Sequence, residues 1–252
     1  MDNSEQRKWW ARALLVGGVV ALVALPLGAL GTRFGVWSFQ GGFLLLAVGV
    51  VLATIVFFLG VVGGVYAHVK KRGADRNDCL IGAVIGVVIL GIMGSNAMTA
   101  FSVPPIHNIT TDTRNPPEFD QLATLRETLR AENPEAVNPL AYDAEKLASQ
   151  QQTAYPEVKP LITSTAPDEM LERAARAVED LGMELVQANR QRGIVEATDT
   201  TFWFGFKDDV VIRVRAEGAG SVVDVRSVSR VGQSDLGKNA DRILAILGAL
   251  GD

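Results

Sequence analysis

Three stretches of this chain contain no Asp, Glu, Lys or Arg: residues 13–31, 34–67 and 79–106. Each meets or exceeds the roughly 18–20 apolar residues that an α-helix needs to cross the hydrocarbon of a bilayer. Soluble core helices seldom run so far without a charge. The chain therefore reads as three transmembrane helices, over about residues 13–31, 43–66 and 79–101. The second is set back to Phe43 because Trp37, Ser38, Gln40 and the pair Gly41-Gly42 have interfacial character.

The basic residues orient these spans. Arg7, Lys8 and Arg12 precede the first, and Arg33 alone follows it. Lys70, Lys71, Arg72 and Arg76 follow the second, and Arg114 is the lone base for some distance beyond the third. Three, one, four and one is the alternation expected for a cytoplasmic N-terminus and a cytoplasmic second loop. The remainder of the chain is then expected outside, in the periplasm if the membrane is a bacterial inner membrane. A cleaved signal peptide is a competing reading of residues 7–30, and it leaves that placement unchanged. None of the three stretches holds an ionisable residue in its interior, as proton relays and conduits usually require, so an anchor or scaffold is expected. Gly60-x-x-x-Gly64 and Gly82-x-x-x-Gly86 would permit close helix approach, although glycine is common in membrane helices generally.

The division is 1–106, a membrane anchor, and 107–252, an extracytoplasmic domain large enough for one core. Through Ile106 the chain has 8 Lys/Arg against 4 Asp/Glu; thereafter it has 16 against 24. An acidic domain lacks the basic footprint of a nucleic-acid binder. The single cysteine, Cys79, excludes an intramolecular disulfide and a cysteine-built metal site.

Residues 102–117 hold four prolines and should be extended. A short helix is expected from Pro117 to about Arg130, with Phe119, Leu122, Ala123, Arg126 and Leu129 along it. Residues 131–160 read as an irregular strap, anchored by Tyr142 and Tyr155. Pro167 opens a helix with Leu171, Ala174, Val178 and Leu181 on one face and Gly182 at its end. Four strands are then expected over 183–189, 194–206, 210–216 and 222–230, and a last helix over about 234–250. The expected fold is an α+β domain of helix, four-stranded antiparallel meander and helix, with helices on one face of the sheet.

Alternation within the strands sets Arg213 and Arg215 near Asp224 and Arg226 on one charged surface, and Ser227 and Ser229 on the other. Ser234 or Asp235 can cap the last helix. A candidate anion site follows from Arg226, Ser229, Arg230, Ser234, Asp235 and Lys238, with the helix N-terminus contributing. The competing reading is a salt-bridge network in which Asp208, Asp209, Asp224 and Asp235 neutralise the arginines.

The run Phe204-Gly-Phe-Lys-Asp-Asp-Val-Val-Ile-Arg-Val-Arg and the string Arg226-Ser-Val-Ser-Arg-Val-Gly-Gln-Ser-Asp-Leu-Gly-Lys-Asn resemble a family of bacterial and plastid proteins. That family is known as domain of unknown function 1499. Ile106-His-Asn-Ile-Thr-Thr-Asp-Thr is similar to its opening motif, with Asn108 where Asp is expected. The resemblance covers most of residues 104–250 and implies no activity, cofactor or catalytic residue.

Enzyme signatures are weak. His107 is the domain's only histidine, and no Gly-x-Ser-x-Gly elbow exists. His107, Asp112 and Glu118 match no metal-ligand spacing, and there is no nucleotide-type glycine loop. No catalytic residue, metal or cofactor is assigned. Phe202, Trp203, Phe204 and Phe206 read as strand aromatics that pack the core, with a lipid-binding cleft as the alternative. The leading expectation is a non-enzymatic, membrane-anchored envelope module whose partners are the lipid bilayer and either an envelope protein or an anionic lipid or cell-wall fragment. The second is a hydrolase or transferase of envelope lipid or glycan using Asp208, Asp209 and Asp235.

Overall fold

A computed structural model describes residues 7–134 and 137–251. They divide into two units, residues 1–99 with 202–205 and residues 100–201 with 206–252, of which residues 1–6, 135–136 and 252 lie outside the described set.

The first unit contains α1 (Trp9–Arg33), α2 (Phe39–Val69) and α3 (Gly73–Ser102), each long and apolar enough to cross a membrane. All three run beyond the limits expected from apolar length alone. Polar residues outside the hydrocarbon can still be helical when their end groups find partners. Ser38 caps α2 by accepting from the Gly41 amide. At the start of α3, buried Asp75 accepts from the Lys8 amide at 2.8 Å and pairs with Arg72. Small residues line the helix contacts. A Cβ at Gly82 would stand 2.9 Å from the Leu14 carbonyl oxygen, and one at Gly60 would stand 2.7 Å from that of Cys79. All four glycines of the two Gly-x-x-x-Gly pairs are buried between helices. The close approach that they permit is used here.

The second unit is α+β, built on an antiparallel sheet. It contains β1 (Asn108–Thr110), α4 (Gln121–Glu132), α5 (Ala144–Ala154), β2 (Leu161–Thr163) and α6 (Pro167–Asp180). β3 (Glu184–Asn189), β4 (Ile194–Thr200), β5 (Lys207–Glu217), β6 (Gly220–Ser229) and α7 (Lys238–Gly251) follow. β3 to β6 form the expected meander. The sheet has six strands rather than four, because β1 and β2 lie end to end along the free edge of β6, pairing with residues 226–228 and 221–223. Three-residue strands fall below what an alternation pattern can signal.

Helices cover both faces of the sheet, not one. Apolar residues of α6 and α7 pack on Val195, Ala197, Val210, Ile212, Val223 and Val225. Phe119 and Leu122 of the α4 region pack on Ile194, Val211 and Val228. Three boundaries differ from expectation. β4 stops at Thr200, so residues 201–206 form the turn and Lys207-Asp208-Asp209 lie within β5. The strap over 131–160 includes α5, whose N-cap Asp143 accepts from the Lys146 amide. α7 starts at Lys238 because Leu236 (φ 56°) and Gly237 (φ 86°) occupy the left-handed region, which no helix can continue through.

Candidate functional site

The strand pairing determines where each chemically interesting side chain goes. Asp209 opposes Val228, Val211 opposes Arg226, and Arg213 opposes Asp224, with Thr198 and Glu196 on the next strand over. These positions share the face under α4. Asp208, Val210 and Ile212, with Val225, Ser227 and Ser229, share the face under α7. Arg226, Ser227, Ser229 and Arg230 therefore feed two separate networks, one on each side of the sheet.

On the α4 face, fully buried Asp209 is the hub. Arg126 donates to it through Nε at 2.6 Å, Arg230 through Nε at 2.9 Å and Nη2 at 2.8 Å, and Thr198 through its hydroxyl at 2.9 Å. Burial on its own raises the Asp209 pKa. Hydrogen bonds from Arg230 and the charges of both arginines outweigh it and hold the carboxyl below its ordinary value. Arg126 also donates to the carbonyls of Asn138 and Val228 at 3.0 and 2.6 Å. It stands on the apolar stripe of its helix, and a charge at such a position signals a buried partner.

Arg226 is caged with no carboxylate in contact among the described residues. It donates through Nε to Asn108 Oδ1 at 3.1 Å, through Nη1 to the Pro117 carbonyl at 3.1 Å, and through Nη2 to the Leu140 carbonyl. Its guanidinium lies over the rings of Phe119 and Tyr142, at 5.5 and 5.9 Å. Burial lowers its pKa to about 10. Arg213 and Arg215 meet Asp224 at 2.9 and 2.7 Å, as alternation predicts.

On the α7 face Arg242 bridges Asp199 and Asp208 at 2.6 and 2.7 Å and also donates to Ser227 and Asn239. Asn239 donates to the hydroxyl of Ser229 at 3.0 Å and to the His107 carbonyl at 3.1 Å. Asp235 accepts from the amides of Gly237 and Asn239, at 2.8 and 3.0 Å, and burial raises its pKa against those bonds. Ser234 accepts from the Leu236 amide, and exposed Lys238 lies 3.5 Å from Asp241. Asp112 accepts from the amides of Arg114 and Asn115 and pairs with Arg213. Among the described residues no group of three or more His, Cys, Asp or Glu could hold a metal ion.

The six residues of the candidate anion site are thus not brought to one point. Arg226 lies in its cage, Arg230 is on Asp209, and Ser229, Ser234, Asp235 and Lys238 lie along the approach to and start of α7. Arg230, unlike Arg226, forms a wall of a cleft of about 320 Å³ between α4 and the sheet. Gln121, Leu125, Glu184, Thr198 and Lys207 line the same cleft. Arg230 uses Nε and Nη2 internally, and among the described residues its Nη1 donates to nothing. Lys207, whose carbonyl accepts the Arg230 amide at 2.9 Å, likewise makes no ion pair among them. In the sequence Lys207 falls between the expected strands 194–206 and 210–216, whereas in the structure it opens β5.

The class defined by these features is an α+β domain carried on three helices long and apolar enough to cross a membrane. Residues 108–250 match the model of the family described as protein of unknown function (DUF1499), and the chain belongs to that family. Comparison with curated proteins gives no match.

Proposed function

We propose that this chain is a non-enzymatic, membrane-anchored binding module of the cell envelope, with its domain on the extracytoplasmic face of the inner membrane. The proposed ligand is an anionic group, such as a lipid headgroup or a cell-wall fragment. The observation that carries this reading is the cleft beside α4. There Arg230 retains an uncommitted Nη1 group, held in place by Asp209, and Lys207 supplies a second cation. A guanidinium fixed by an internal carboxylate loses little freedom on binding, and the N–H donors of its remaining Nη1 suit a phosphate or carboxylate oxygen. Glu184 also lines the cleft, and its charge disfavours densely charged anions. The alternation of basic residues about the three spans supports the orientation. The engagement of Asp208, Asp209 and Asp235 inside the fold supports binding rather than acid–base catalysis.

The full chain in neutral phosphatidylcholine nanodiscs should bind a soluble phosphorylated headgroup probe such as glycerol 3-phosphate, measured by calorimetry. Lys207→Gln leaves the Asp209 network intact and should weaken binding several-fold. Equal binding by Lys207→Gln, or none by the unaltered chain, would reject the cleft. A product released from extracted envelope material would reject the non-enzymatic assignment. A periplasm-active reporter fused after Asp252 should be active; a silent fusion reverses the orientation.

A further inference from the structure

The aromatic run that reads as core strand in the sequence lies instead in the β4–β5 turn, with two of its side chains presented outward. Phe202 is 70% exposed and Trp203 is 54% exposed, in edge contact with ring centroids 5.3 Å apart. Side chains of this size bury large apolar areas when they find a partner, and neither is buried in the fold. Residues 202–205 group with the helical unit. Arg33, the last residue of α1, donates to the Phe202 carbonyl at 2.6 Å and sets its guanidinium 5.6 Å from the centre of the Phe202 ring. Phe204 stacks on Phe43 of α2 at 5.1 Å.

Those partners identify the surroundings. Arg33 and Phe43 flank the α1–α2 connection, where the apolar helices end. Beside them Phe34 and Val36 are also exposed, at 74% and 69%. Ser38 caps α2 there, and the Trp37 indole donates to the Gly28 carbonyl at 3.0 Å. Exposed aromatics, a tryptophan and an arginine at the end of a membrane helix have the composition of a bilayer interface, where rings settle at headgroup depth and the cation stays at the polar side.

We infer that Phe202, Trp203 and Phe204 form a fourth membrane-seated element, inserted in the interfacial layer of the leaflet at the α1–α2 connection. Lipid is the occupant because the patch adjoins the exposed apolar surface of α1 and α2, helices long and apolar enough to cross a membrane. The inference is independent of the cleft reading and of which leaflet is involved.

The test uses the full chain in phosphatidylcholine vesicles brominated at shallow or deep acyl positions, comparing the unaltered protein with Trp203→Phe. The sequence holds four tryptophans, so the difference between the two proteins isolates Trp203 emission. That emission should lose most of its intensity to shallow bromines, lose less to deep ones, and resist iodide added to the water. Quenching by iodide alone would place the tip in water and overturn the inference. Quenching by neither agent would place it against protein, a second copy of the chain included, and overturn it equally. A triple variant with Trp9, Trp10 and Trp37 changed to Phe, leaving Trp203 as the only emitter, provides a second measurement by the same criteria.

Discussion

Gln151 holds Thr110 by both of its backbone polar groups, accepting from the Thr110 amide at 3.1 Å and donating to its carbonyl at 2.7 Å. The side-chain amide thereby takes the place of a neighbouring strand along β1. Gln151 is buried, so water cannot substitute. Gln151→Ala leaves a donor and an acceptor unpaired and should cost at least about 2 kcal/mol. Gln151→Glu keeps the acceptor but sets an oxygen against the Thr110 carbonyl, and should be as damaging at neutral pH. Urea denaturation measures both losses. Amide exchange at Thr110 should accelerate in both variants, and unchanged protection there would contradict the pairing.

Asp209 gives the domain a component of acid sensitivity with a definite sign. Its folded pKa lies below the ordinary value of 3.8. The stabilisation it brings is therefore complete above that value and is lost as pH falls through the depressed one. Asp209→Asn breaks a buried ion pair shared by Arg126 and Arg230 and should cost about 3–5 kcal/mol near neutrality. The gap between the two proteins should narrow once the pH is taken below the ordinary carboxylate range. A gap independent of pH would mean that the carboxylate charge is not what Asp209 contributes.

Arg226 separates the cage from the cleft experimentally. Removing its guanidinium leaves the Pro117 and Leu140 carbonyls and Asn108 Oδ1 without their donor. Arg226→Lys cannot reach all three and should lower stability by about 2 kcal/mol or more. Limited proteolysis should then cut between Asn133 and Tyr142 sooner, because Leu140 loses its tether. A variant of unchanged stability that fails to bind anions would instead put Arg226 in the binding site.

The parts of this fold that sequence made legible are those written in its periodicities. Long charge-free runs mark the three apolar helices, and alternation in β5 and β6 puts Arg213 and Arg215 beside Asp224. The same alternation separates Ser227 and Ser229 from Arg226 and Arg230, so the division of the recognisable string between two networks was implicit in it. Other features were not legible, for physical reasons. β1 and β2 are three residues each and exist only because β6 offers a free edge. Glu196 caps α4 from 75 residues away, accepting from the amides of Gln121 and Leu122 at 2.9 and 3.3 Å, so that helix begins four residues after the Pro117 that its local signal favours. Phe202 to Phe206 carry strand propensity, yet Gly205 at φ 68° and the bond from the Phe206 amide to the Thr201 hydroxyl turn the chain there. Such tertiary terms override local preference. The cleft residues Gln121, Thr198, Lys207 and Arg230 come from four separate segments and become neighbours only through strand register and helix placement.

The glycines of the apolar helices allow composition to be told apart from packing. A Cβ at Gly86 would stand 2.7 Å from the Ala53 carbonyl oxygen and 3.0 Å from the Phe57 Cβ, contacts with atoms at or next to the α2 backbone that no rotamer change relieves. At Gly91 and Gly94, on the same helix, a Cβ meets nothing within 4 Å beyond its own helix backbone and chain neighbours, among the described residues. Close helix approach in a bilayer depends on small residues, because lipid tails supply no hydrophobic drive between helices. Gly86→Leu should therefore force α2 and α3 apart, lowering the thermal stability of the protein in nanodiscs and its monodisperse yield in detergent. Gly91→Leu should leave both unchanged. If the two variants behave alike, the glycine at 86 reflects the general richness of membrane helices in this residue and not a packing requirement of this anchor.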